Sequence, residues 1–258
     1  MKSETKQSIS LITLSFLVTW LFMGIAIFRG EPHPITGWLS VLGPAIAALI
    51  VFGKTIGVKE FLKRSVVFEQ RFIYYIIFFA FVIWRFALVA AVGERVEGSA
   101  LYLPLLMIPM AMLTGGNEEF GWRPLQRLME KRMHPVLAAL IFVFVWWAWH
   151  FPMQFMSWDW RNDIFSWLIF LGFTFTNTFT LAVIYKLTGS VLFAVLFHAW
   201  SNATAYTFDI AAGNPLNISL AFAFEGIVSM IILLLCTKGV IKSAKTLDST
   251  EQSFACTK

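Results

Sequence analysis

Residues 115–123, GGNEEFGWR, put two adjacent carboxylates and a guanidinium between two apolar runs, 101–113 and 137–149. Those flanks place at least part of the cluster at bilayer depth, where an ionisable side chain costs roughly 3 kcal/mol at a helix centre even on the lenient insertion scale. A charge kept there is a functional hypothesis by default. Glu119 and Arg123 stand four residues apart with the acid N-terminal, the favourable order for an ion pair on one helical face. Glu118 points about 100° away on the same helix. Glu119 therefore reads as the partner of Arg123, and Glu118 as the carboxylate left for chemistry. The plainer alternative is a juxtamembrane ion pair beside a surface Glu.

Composition extends the membrane reading to the whole chain. Of 258 residues, 58% are apolar and 14% charged, with a mean hydropathy of +0.72. Several stretches reach the ~18–20 apolar residues that span a bilayer, which excludes a soluble domain. The net charge of +5 comes from basic residues flanking apolar segments, a loop bias rather than a nucleic-acid footprint. The two cysteines, Cys236 and Cys256, supply neither a disulfide framework nor a CxxC metal pair.

Read in order, the apolar runs predict an all-α, polytopic protein with spans near 9–28, 38–52, 72–92, from 100 onward, 136–150, 164–185, 190–208 and 218–236. The first run is longer than a signal-peptide core, so an uncleaved span is expected. The basic stretch 54–71 has room for a short interfacial helix, and the polar residues beyond Lys238 are expected to form a disordered tail. Residues 101–131 would reach about 45 Å as one helix, too long for a straight span. Pro104, Pro109 and Gly115-Gly116 predict a break near the middle, with the acidic motif opening the second half.

Eight spans with both termini cytoplasmic put sixteen Lys and Arg inside, three outside and one, Arg85, within a span. Arg85 and Glu225 fall at similar depths and are expected to pair structurally. The chain divides into 1–114, N-terminal helices and a basic loop; 115–202, the part with the chemistry; and 203–258, a last span and tail, all one membrane unit.

Two of the four histidines lie in apolar runs. His150 closes VWWAWH with Trp146 one turn before it, and His198 has Asn202 one turn after it on the same face. Counted from the turn at 132–135, Glu118 and His150 both lie about 20–22 Å away on adjacent antiparallel helices, and His198 lies about 14 Å beyond Gly189. All three are expected to converge in a cavity open to the side of that turn. A carboxylate with an imidazole can deprotonate water, and a second imidazole with an amide can hold an oxyanion. Glu118, His150 and His198 equally match ligand types for a divalent metal such as zinc, which would itself acidify water. Both routes lead to peptide hydrolysis without a serine nucleophile. Ser201 beside His198 makes a poor triad, because no buried Asp is placed to orient the imidazole. His33 and His134 read as loop residues.

The set resembles the CPBP intramembrane proteases, the CAAX-protease and bacteriocin-processing or Abi family. Glu118-Glu119-Phe-Gly-Trp-Arg123 is similar to that family's Glu-Glu-x-x-x-Arg motif, Trp146 to His150 to its aromatic-x-x-x-His, and His198 to Asn202 to its His-x-x-x-Asn. Trp146 stands where the family more often has Phe. The resemblance implies an all-helical fold in which Glu118 and His150 activate water and His198 and Asn202 hold the oxyanion. Its members have been described both as metalloproteases and as metal-independent glutamate proteases. It also implies membrane-associated peptide or protein substrates, prenylated or with leader segments, and a bacterial cytoplasmic membrane. Glu119, Arg123 and Trp146 would support the motif. The competing class is a non-catalytic membrane protein, either an immunity factor or a small transporter.

Overall fold

The computed structural model describes residues 2–241, and the expected tail, with Lys242, Lys245 and Cys256, lies outside the described residues. The chain is a bundle of α1 (Lys2–Arg29), α2 (Pro34–Val41), α3 (Gly43–Ile56), α4 (Val58–Ser65), α5 (Phe72–Val92), α6 (Leu103–Thr114), α7 (Glu119–Glu130), α8 (Pro135–Trp149), α9 (Ile164–Thr188), α10 (Val191–Thr204) and α11 (Pro215–Thr237). A two-residue antiparallel ladder, β1 (Glu94–Arg95) with β2 (Phe208–Asp209), ties two loops at one end.

Among the described residues five helices are long and apolar enough to cross a membrane, and six spans result if α2 and α3, bent by 42° at their junction, count as one. The expected fourth and seventh spans are the shorter apolar helices α6 and α10. Lipid-facing and core-facing stripes separate cleanly on α11. Leu220, Phe224, Ile227 and Ile231 are exposed at helical spacing, whereas Ile218, Phe222, Glu225, Ser229 and Leu233 are buried. The protein is thus a helical membrane protein with its polar groups turned inward.

The basic stretch does hold a short helix, α4, whose Phe61 stacks on Phe52 of α3 at 5.5 Å. Arg64 caps a surface pair with Glu60 at 2.8 Å and holds that carboxyl below its usual range. Helix starts follow local chemistry: Asp163 accepts from the Phe165 and Ser166 N–H groups at 2.9 and 3.0 Å, and Asn214 does the same for α11. The predicted pair of Arg85 and Glu225 forms deep between α5 and α11, with Nη2–Oε1 at 2.6 Å and Nε–Oε2 at 3.0 Å. This bidentate pair is further held by Asn177 and Ser201, at 2.8 and 2.7 Å from Nη1, so one guanidinium fastens four helices.

Candidate active site

The long stretch 101–131 is broken, as its length requires. Helix α6 stops at Thr114, Gly116–Glu118 form one 3-10 turn, and α7 starts at Glu119. Glycines let the break lie directly on neighbouring backbones. A Cβ at Gly116 would stand 2.8 Å from the Val195 carbonyl of α10, and one at Gly121 would overlap the Pro44 carbonyl of α3. That close approach brings the paired glutamates against His198.

Glu119 does more than pair with Arg123. Its Oε2 lies 2.6 Å from Arg123 Nε, while its Oε1 accepts a hydrogen bond from His198 Nδ1 at 2.8 Å. Both partners of the ion pair are fully buried. The Nε–H is not aligned on Oε2, which makes this a close ion pair rather than a straight hydrogen bond. Arg123 also donates to Gln126, and Gln126 to Glu130 at 2.5 Å. With His198 carrying both protons, Glu118, Glu119, Arg123 and His198 sum to zero charge, the condition under which such a cluster tolerates burial.

Glu118, expected to be free, is held by two indoles. Its Oε2 accepts from Trp146 Nε1 at 2.9 Å and from Trp122 Nε1 at 3.3 Å, and its Oε1 takes no donor among the described residues. The Trp146 ring contacts both imidazoles, 5.4 Å from His198 and 5.9 Å from His150 by centroids. His150 Nδ1 lies 2.9 Å from the Trp146 carbonyl, an acceptor only, so the proton is on Nδ1 and the lone pair on Nε2. Glu118, Trp146, His150, His198 and Asn202 all line one cavity of about 330 Å³. Gly115 packs directly on two of these residues: a Cβ there would overlap the Asn202 amide nitrogen and stand 3.6 Å from His198 Nε2.

The cavity corrects one sequence expectation. His150 is the C-cap of α8, at the far end of that helix from the turn before Pro135, and Met153 and Arg161 of the following segment line the cavity with it. It therefore lies towards the end bearing residues 157–163, not on the side of the 132–135 turn. Equal residue counts from a turn fix relative depth but not which mouth is open.

Glu118, His150 and His198 share this cavity without closing into a metal centre. Among the described residues no three His, Cys, Asp or Glu side chains form a group that could hold a metal ion. Each imidazole holds Nδ1 on another partner and keeps Nε2 free, as a ligand would, but the Trp146 ring lies against both rings and one Glu118 oxygen is occupied by indoles. The residues present do not fit the zinc trio that their types suggested.

Four polar lining residues escaped sequence reasoning: Thr114, Arg161, Thr174 and Asn177. Asn177 was findable, since Thr174-Phe-Thr-Asn-Thr-Phe-Thr180 is a polar-rich run within a span. Ser201, rejected as a nucleophile, is bound to Arg85.

A helical membrane protein with a buried Glu–His–Arg cluster on a cavity defines the class. Residues 100–204 match the family model described as Type II CAAX prenyl endopeptidase Rce1-like, so this stretch is similar to that protease family. No curated protein matches the chain.

Proposed function

We propose that the protein is an intramembrane endopeptidase that hydrolyses a peptide bond of a membrane-associated substrate of the CAAX type. The observation that carries this reading is the assembly of Glu118, His150, His198 and Asn202 on one cavity inside the apolar bundle. Glu118 takes a proton from water through Oε1, while its Oε2 stays fixed by the two indoles. The His150 Nε2 lone pair accepts the water's other hydrogen and orients it. Attack on the substrate carbonyl gives a tetrahedral oxyanion, held by His198 Nε2–H and the Asn202 amide. Glu118 then returns its proton to the leaving amine, and the C–N bond breaks. Glu119 balances the charge on doubly protonated His198, and Arg123 fixes Glu119. No step passes through a metal.

The reacting segment is 115–202, supported by 1–114 and 203–258 in one membrane unit of eight spans, in which α6 and α10 are short spans. Both termini face the cytoplasm by the distribution of Lys and Arg. The test is cleavage of farnesylated and unprenylated peptides ending in Cys-aliphatic-aliphatic-X by the purified protein, beside Glu118→Ala and His198→Ala, with and without chelator. Cleavage lost in both variants and unchanged by chelator is expected. Retained cleavage in both well-folded variants would defeat the assignment.

A further inference from the structure

Along α9, Phe170, Thr174 and Asn177 fall at i, i+4 and i+7 and form one wall of the cavity. The Thr174 hydroxyl donates back to the Phe170 carbonyl at 2.9 Å, so it offers that wall no donor. Asn177 differs. Its Oδ1 accepts from Arg85 Nη1 at 2.8 Å, and a guanidinium can only donate, so the orientation of this amide is fixed by its neighbour. The Nδ2 group, with two N–H donors, makes no hydrogen bond among the described residues, and the half-buried side chain lines the cavity.

Arg85 cannot turn away. Both Glu225 oxygens grip it, Ser201 shares its Nη1, and the Phe197 and Phe222 rings lie 5.0 and 5.4 Å from its guanidinium carbon. The ion pair is thus a clamp that presents a neutral donor to the cavity.

We propose that Asn177 Nδ2 donates to a backbone carbonyl of the bound peptide other than the scissile one, and that the Arg85–Glu225 pair sets its orientation. An extended peptide entering this cavity leaves water and must find donors for its carbonyls, since each left unpaired costs about as much as a lost hydrogen bond. His198 and Asn202 face Gly115 of the motif segment. Asn177 supplies the donor on α9. The role rests on the peptidase reading above, and it concerns binding rather than the chemical step.

The test uses the full-length protein and a fluorescent farnesylated peptide ending in Cys-aliphatic-aliphatic-X. Binding is measured by anisotropy to Glu118→Ala and to that variant carrying Asn177→Asp or Asn177→Ala. Asn177→Asp keeps an acceptor for Arg85 and removes the donor, and Asn177→Ala guards against misfolding caused by the new charge. Kd should weaken about tenfold in both double variants. In the otherwise unaltered enzyme, Asn177→Ala should raise KM about tenfold with kcat within about twofold. Equal Kd with and without Asn177, or no saturable binding to Glu118→Ala, overturns the proposal. Cleavage unaffected by Glu118→Ala would defeat the peptidase mechanism instead, and the binding comparison would still decide Asn177.

Discussion

Gly115→Ala gives the sharpest test of where the oxyanion lies. The φ there is −171°, outside the left-handed region that favours glycine. The new methyl group, however, would stand 2.2 Å from the Asn202 amide nitrogen, which must retreat by more than about 1 Å to reach ordinary contact distance. Asn202 is exposed to the cavity and makes no side-chain hydrogen bond among the described residues, so it yields at little cost to folding. Catalysis should suffer instead. A displacement of about 1 Å costs on the order of 10²-fold, and loss of one oxyanion donor about 10²–10³-fold in kcat. A cycle of Gly115→Ala, Asn202→Ala and the double variant, assayed for kcat on the farnesylated peptide, separates the mechanism from general damage. If the methyl acts by displacing Asn202, the double variant is no slower than Asn202→Ala within about threefold, a coupling of about 2–3 kcal/mol. Near-normal activity in Gly115→Ala, or fully multiplicative losses in the double variant, would refute the placement.

Other perturbations read the supporting structure. Glu119→Ala strands the buried Arg123 charge and should cost about 3–5 kcal/mol, seen as a lower melting temperature in detergent; a melting curve like that of the parent would deny Glu119 its structural role. Glu225→Ala should act similarly on Arg85 through the lost bidentate pair, and unaltered melting would mean that Asn177 and Ser201 suffice. The Asp163 carboxyl is held below its usual range, first by the Ser166 hydroxyl and then by the Ser166 and Phe165 N–H groups. Because the folded value is depressed, its contribution is complete above the unfolded carboxylate range and is lost as pH falls through the folded value. The melting difference between the parent and Asp163→Ala should therefore be flat near neutrality and close at acid pH, and a difference constant down to strong acid would contradict this.

The sequence by itself determined what depends on chain-local periodicity. Apolar runs gave α5 its bounds, Phe72–Val92, and the excess length of 101–131 required the break that falls at Gly115. Spacing of i,i+4 was enough to pair Glu119 with Arg123 and to put Trp146 over His150, because helical geometry fixes those distances whatever surrounds them. Similar depth made Arg85 and Glu225 a pair across 140 residues, since a charge in an apolar bundle has few places to go. Only the tertiary structure decided how the remaining groups face one another. His198 reaches Glu119, Trp122 and Trp146 hold Glu118, and Asn177 turns its oxygen to Arg85, each by helix rotation and rotamers set through packing. The same packing laid Trp146 against both imidazoles, and the donor types that suggest a zinc site do not gather into one among the described residues. Residue type and spacing limit which groups can meet, and the close approach of backbones at Gly115, Gly116 and Gly121 decides which of them do.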